Sequence, residues 1–203
     1  MPLSVRIPSE AVAKPPEPSK LSPEELAQRC QGGCRDSFEL LVAHFEKRVH
    51  HFLWQLVRNN HDAEDLTQET FVAAYKGLHR YQSRYAFATW LFTIAKRTAV
   101  DHFRTNRRLE SWTEEVQSDG ETDADMTDPS TLLESQEELG SIWKAARSLK
   151  PKHHEALWLR YGEGFSVAET ASIMGTNQIH VKVLLHRGRA QLALSLGRAK
   201  KNC

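Results

Sequence analysis

Residues 109–140 contain eleven Asp and Glu and neither Lys nor Arg. Within them, Glu110–Asp128 is rich in Asp, Glu, Ser, Thr and Gly, has Pro129 after it and shows no helical or strand period. That composition predicts a linker, and a merely solvated loop fits it equally well. Either way the segment supplies no core, so the chain on its two sides must fold as two globular parts. Charge is segregated around it. Residues 1–108 hold 16 Lys/Arg against 12 Asp/Glu, a net of +4, and residues 141–203 hold 11 against 3, a net of +8. The whole-chain net of +1 hides this. Two basic blocks around an acidic tether point towards nucleic acid where bulk charge would not.

At 203 residues and 40% hydrophobic content, the chain has room for real cores. No apolar run approaches the roughly 20 residues a membrane span needs, so no membrane insertion is expected. Residues 1–20, with Pro2, Pro8, Pro15, Pro16 and Pro18 and no apolar stretch, read as a flexible tail rather than a signal peptide. The odd set Cys30, Cys34 and Cys203 predicts free thiols in a reducing cytoplasm.

No alternating β-branched run is present, and both parts read as helical, giving an all-α fold. Helices are predicted near 22–30, 35–57, 62–79 and 87–107, then near 132–148, 151–161, 167–174 and 178–195. Ser22-Pro23-Glu24-Glu25 supplies an N-cap with proline at the first helical position. Phe38, Leu41, Val42, Phe45, Val49, Phe52, Leu53 and Leu56 recur at 3–4 spacing.

Residues 62–71, Asp-Ala-Glu-Asp-Leu-Thr-Gln-Glu-Thr-Phe, read as a capped helix start. At about 100° per residue, Asp62, Asp65, Glu69, Val72 and Lys76 share one stripe with Gln68 beside it. Ala63, Leu66, Thr70, Phe71, Ala73 and Leu78 cover the other side. Asp62, Glu64 and Asp65 fall in the first turn, where the helix dipole favours carboxylates by about 0.3–1 kcal/mol each. Capping with a solvated face explains the stripe, and so does a docking face for a basic partner helix. A carboxylate metal site for a nuclease lacks ligands converging from a second element.

Downstream, Tyr81, Tyr85, Phe87 and Trp90 are interleaved with Arg80 and Arg84, and Lys96, Arg97, Arg104, Arg107 and Arg108 stand against Asp101 alone. Trp90, Leu91 and Ile94 are expected in the core. Tyr81, Tyr85, Phe87 and the basic run suit DNA, because aromatic rings stack on unstacked bases and cations hold phosphates.

Ser166 to Arg189 has the layout of a helix-turn-helix. Ser166 and Glu169 form a capping box, Ala171 is small where two helices cross, and Gly175 supplies a left-handed turn residue. Val181, Leu185, Gly188 and Leu192 line an inward stripe. His180, Lys182, Val183, His186, Arg187 and Arg189 lie on the outward side and flanks, where such a helix enters the major groove.

Together these segments resemble the extracytoplasmic-function group of the sigma-70 family, bacterial RNA polymerase initiation factors. The resemblance rests on Asp62–Phe71 and on Ala88-Thr-Trp-Leu-Phe-Thr-Ile-Ala95 with Asp101 and Arg104. In the second part it rests on Leu149-Lys-Pro151, Leu159-Arg-Tyr161, Phe165–Glu169 and the helix through Val181-Lys182 and Arg187-Gly-Arg189. It covers about 36–108 and 136–196. It implies sigma region 2 over 21–108, a linker over 109–133, sigma region 4 over 134–198 and tails at 1–20 and 199–203. It further implies that Asp62, Asp65, Gln68 and Glu69 dock on the clamp helices of the polymerase's largest subunit. Arg80, Tyr81, Arg84, Tyr85, Phe87, Lys96, Arg97, Arg104, Arg107 and Arg108 would recognise and melt the minus-ten element, holding a flipped base. His180, Lys182, Val183, His186, Arg187 and Arg189 would read the minus-thirty-five element as duplex, and the outer face of that domain would meet the flap of the second-largest subunit. The partners implied are core polymerase, promoter DNA both duplex and melted, and an anti-sigma factor, in a bacterial cytoplasm, with no catalytic site and no cofactor.

Two positions depart from the family pattern. Arg97 stands where asparagine is frequent, and His180-Val-Lys-Val-Leu-Leu185 replaces a Thr-Val-Lys-Ser-Arg-Leu run. The Ser and Arg that would touch DNA are Val183 and Leu184, so base reading falls to Lys182, Arg187, Arg189 and the histidines. His50-His51 and His153-His154 are adjacent pairs that diverge by about 100° on a helix, and Cys30 and Cys34 lack two further ligands nearby. No metal site is expected. A stand-alone helix-turn-helix regulator would account for the second part but leaves the acidic stripe unexplained.

Overall fold

The computed structural model describes residues 21–110 and 142–199, with side chains over 21–105 and 142–196. The proline-rich tail, nearly all of the predicted linker, the start of the helix predicted near 132–148 and Cys203 lie outside the described residues. The elements are α1 (Pro23–Gln31), α2 (Asp36–Val57), α3 (Asn60–Gly77), a 3-10 turn Leu78–Arg80, α4 (Phe87–Glu110), α5 (142–146), α6 (Pro151–Leu157), a π turn Trp158–Gly162, α7 (Val167–Ile173) and α8 (Gln178–Ala199). No strand occurs among the described residues.

The apolar period of α2 is borne out. Leu41, Phe45, Val49, Phe52 and Leu53 are buried, while Phe38, Val42 and Leu56 pack at the margin. Their partners come from α3 and α4: Phe38 meets Tyr75 edge-on at 4.9 Å, Phe45 meets Phe87 at 5.6 Å, and Phe52 meets Phe92 at 5.2 Å. Truncating the fully buried Phe45, Phe52, Phe87 or Phe92 to alanine costs about 3–5 kcal/mol, so α2 is the axis on which the first unit is built.

α3 starts two residues before the predicted 62, because the Asn59 side chain accepts the Asp62 N–H at 3.1 Å. Glu64 and Asp65 therefore fall in the second turn, beyond most of the dipole's favour. Ala73, assigned to the inner side, is exposed, and Ala74 and Thr67 are buried with Ala63, Leu66, Thr70 and Phe71.

In the C-terminal unit, α7 opens on the expected capping box between Ser166 and Glu169. Gly175 turns at φ +63, where a side chain would be strained. Gly188 lets α8 cross α6 closely: a Cβ there would stand 3.1 Å from Leu157 Cδ1. The helix predicted over 151–161 is α6 followed by the π turn.

The two units are not apart. Trp158, Leu159, Phe165 and Ile173 join the apolar cluster of the first unit, with Phe165 5.0 Å from Phe92 and Trp158 4.5 Å from His51. A smaller cluster of Ala156, Leu157, Ala171, Val181, Leu184 and Leu185 holds the C-terminal unit together.

Candidate nucleic-acid interface

Three surfaces carry the residues singled out by the sequence. The first is the outer face of α3. Asp65, Gln68 and Glu69 are exposed, as are Val72 and Tyr75 beside them, so the face is acidic with an apolar margin. Asp62 is partly withdrawn: its carboxylate lies 3.6 Å from His102 Nε2 of α4, and Asp65 lies 3.8 Å from His61. Among the described residues, no group of three metal-ligating side chains comes together, so these carboxylates form no ion cage with their neighbours.

The second surface is the loop between the 3-10 turn and α4. Residues 82–86 are all exposed, and Tyr85 carries the Arg84 guanidinium over its ring at 4.9 Å. Arg80 is exposed and bonds His79 at 3.2 Å. Tyr81 and Phe87, expected to stack on bases, are instead core residues at 5% and 1% exposure. Their rings pack edge-on at 5.4 Å, and Tyr81 Oη donates to Tyr85 O at 2.6 Å. Burial, with the nearby Glu24 carboxylate, pushes the Tyr81 phenol up to about 12. Both rings anchor the loop, and Tyr85 is the aromatic it offers. Leu91 is buried, and Trp90 and Ile94 are partly buried against the same core, as expected.

Along α4, Arg97 and Arg104 are exposed, with Arg104 3.2 Å from Asp101. Val100 and Phe103 are exposed between them. Arg107 and Arg108 lie on α4, with side chains outside the described set. Lys96 is occupied: its Nζ sits 2.8 Å from the Glu155 carboxylate of α6.

That contact is one of three. Glu163 bonds Arg48 Nε at 2.9 Å, and Glu169 accepts from Thr89 Oγ1 at 2.9 Å. Burial pushes the Glu163 carboxyl up, against the pull of Arg48. Burial also works against ionising Glu169, but the bonds from Ser166 and Thr89 outweigh it and hold that carboxyl below its usual range. Glu155, Glu163 and Glu169 are all the carboxylic side chains of residues 141–203, and each turns towards the first unit. The remaining surface of the C-terminal unit is left basic.

The third surface is α8. His180, Lys182, Val183, His186, Arg187 and Arg189 are exposed, while Val181, Leu185 and Gly188 face inward as expected, with Leu192 partly buried. Leu184 is buried at 6%. Of the two departures from the family pattern there, Leu184 fills the core and Val183 stays on the exposed face.

No helix among the described residues is long and apolar enough to cross a membrane. Cys34 is exposed, and the bond from Ser37 Oγ holds its thiol below the usual range; Cys30 is half-buried, and burial raises its own.

Residues 41–109 match Sigma-70 region 2, and residues 139–192 match Sigma-70, region 4. The chain is 38% identical to the ECF RNA polymerase sigma factor BldN of Streptomyces coelicolor over 172 residues, 83% of this chain and 64% of that one. It is 33% identical to the RNA polymerase sigma factor CarQ of Myxococcus xanthus over 172 residues, 84% of this chain and 95% of the other. In fold it is similar to CnrH, solved with the cytosolic domain of CnrY (TM-score 0.62, 22% identity, 86% of this chain and 97% of that one). It is also similar to the sigma factor RpoE of Bartonella quintana, solved with the anti-sigma factor NepR (TM-score 0.66, 24% identity, 79% and 96%).

Proposed function

The chain belongs to the extracytoplasmic-function group of the sigma-70 family, and from that premise we propose how its surfaces divide the work of promoter-directed transcription initiation. The exposed Asp65, Gln68 and Glu69, with Asp62 at the edge, dock on a basic helical surface of core RNA polymerase. The loop 82–86, through Tyr85 and Arg84 and flanked by Arg80, takes an unstacked base of the melted minus-ten strand. Arg97 and Arg104 hold its phosphates, with Arg107 and Arg108 continuing the run. α8 lies in the major groove of the minus-thirty-five duplex and presents Lys182, Val183, Arg187, Arg189 and the two histidines. The chain binds and positions and carries no chemistry of its own. An anti-sigma partner belongs to the same reading, as does contact of the C-terminal unit with the polymerase flap.

One observation carries the proposal: a single chain presents an acidic helix face and, on other elements, a basic aromatic loop and a basic groove helix. A DNA-binding regulator acting alone has no use for the acidic face. Two elements roughly 25 base pairs apart, at about 3.4 Å each, lie on the order of 85 Å from one another. α4, the longest helix among the described residues at 24 residues, is about 36 Å long at about 1.5 Å per residue. The packed units therefore part when both elements are held, and the carboxylate contacts to Lys96, Arg48 and Thr89 open. Once apart on one enzyme, each module raises the effective concentration of the other. Capture of core polymerase by the purified chain, followed by run-off transcription from a cognate promoter, tests the proposal. Absence of a core complex would overturn it.

A further inference from the structure

We propose that α1 is a positioning element for strand capture, with Glu24 and Gln31 clamping the two ends of the loop that presents Arg84 and Tyr85. The inference rests on the minus-ten reading of that loop. α1 lies wholly before the segment matching sigma region 2, which begins at residue 41.

The geometry is specific. Gln31 Nε2 donates to Leu78 O at 2.8 Å and Tyr81 O at 2.9 Å, across 47 and 50 positions of sequence. These carbonyls flank the 3-10 turn where the chain enters the loop. At the exit, Glu24 Oε1 accepts the Phe87 N–H at 2.8 Å, satisfying an amide at the start of α4 that has no partner within its helix. Between the two, Tyr81 Oη spans the loop to Tyr85 O. α1 is a firm base for this. Its start is closed by the Ser22–Glu25 capping box with Pro23 behind it, and Leu26 and Ala27 are buried in the core of the first unit.

The chemistry explains the residue types. A glutamine amide offers two N–H groups to two carbonyls, whereas a glutamate at 31 offers none and repels both. A carboxylate at 24 accepts one N–H, and an amide carbonyl at that position does the same. A loop fixed at both ends meets the strand already ordered, so capture does not have to order it. The Ser22 cap is legible in the sequence, but nothing local to α1 marks partners 47, 50 and 63 positions away.

The test uses the full chain assembled with core polymerase, titrated with a fluorescent non-template minus-ten oligonucleotide and followed by permanganate reactivity of promoter thymines. Gln31→Glu and Glu24→Ala each weaken strand capture about tenfold, the equivalent of one to two hydrogen bonds. Glu24→Gln retains capture within about twofold. Affinity for core polymerase and for minus-thirty-five duplex stays at the wild-type value, which a general loss of structure would not allow. Gln31→Ala, at the exposed end of α1, serves as the second variant at that position. Wild-type capture in both Gln31 variants and in Glu24→Ala would overturn the inference. Equal losses of core and strand binding would overturn it too. A wild-type complex that captures no strand would instead remove the reading of the loop.

Discussion

Lys96 Nζ of α4 closes on the Glu155 carboxylate of α6 at 2.8 Å, and only 6% of the Glu155 side chain is exposed. A cation assigned to DNA phosphates is thus neutralised by the domain assigned to the other promoter element. A buried pair of this kind balances a desolvation cost against a Coulombic gain, so its net worth is small while its rupture from one side is not. If Lys96 holds a strand phosphate, as its place in the basic run of α4 suggests, it has to leave Glu155 to do so.

Replacing Glu155 by Gln therefore frees Lys96 without leaving a buried charge behind. The expected result is tighter binding of a minus-ten strand by the free chain, by roughly fivefold to a hundredfold if the coupling is about 1–3 kcal/mol. Fluorescence transfer between labels on α2 and α8 should fall in parallel. Lys96→Met strands the buried carboxylate and opens the units as well, yet gains no strand affinity. A double-mutant cycle on strand binding separates the two effects, and additivity would show that the pair does not couple the units.

On α3 the expectation is electrostatic. Asp65→Lys with Glu69→Lys should weaken association with core polymerase roughly a hundredfold or more, since like charges then meet at the docking face. Both side chains are exposed and the folded chain bonds neither into its core, so duplex binding by α8 and the melting temperature should hold. Core affinity at the wild-type level after the double reversal would show that the acidic face is only a solvated helix surface.

Most of the helix boundaries were legible because their signals are local. Ser22 with Glu25, and Ser166 with Glu169, marked starts that lie where expected. Asn59 and Asn60 offer no such contrast with the acidic run that follows, so the sequence alone points to a start of α3 two residues later than the observed one. Tyr81 and Phe87 are ambiguous in the sequence for another reason. A ring among arginines looks the same whether it faces core or solvent, and no helical period runs across the loop into α4 to decide. The docking of the two units was beyond any pattern in the chain. Arg48 and Glu163 are 115 positions apart, and Lys96 and Glu155 are 59 apart.

The buried Leu184 and the exposed Val183 separate stability from recognition on one helix. Val183→Asp should abolish minus-thirty-five footprinting with little change in melting temperature, because 37% of that residue faces solvent and an anion there meets phosphate. Leu184→Arg, which imitates the family pattern, should not add base reading. It buries an unpaired charge against Val181 and Leu185, at a cost of about 3 kcal/mol or more. Differential scanning calorimetry beside footprinting distinguishes these outcomes; a folded Leu184→Arg chain with tighter duplex binding would place that side chain at the groove.

His154 makes the junction of the two units acid-sensitive. Its ring is 3% exposed and its Nε2 has no hydrogen-bond partner, and burial, then the charges of Arg58 and Arg147, bring its pKa down to about 4. The unfolded chain takes up a proton near 6.5, the ordinary histidine value, while the folded chain stays neutral until about pH 4. Above about pH 6.5 both states are neutral and this group leaves stability unchanged. As pH falls from about 6.5 towards 4, the unfolded state alone gains a proton and stability is lost, by on the order of 2–3 kcal/mol at the lower end. His154→Leu should flatten that limb in urea melts taken between pH 7 and pH 4. It removes the titrating ring while keeping the site apolar beside the two arginines. An acid limb of unchanged steepness in the variant would show that His154 is not the group responsible for the loss.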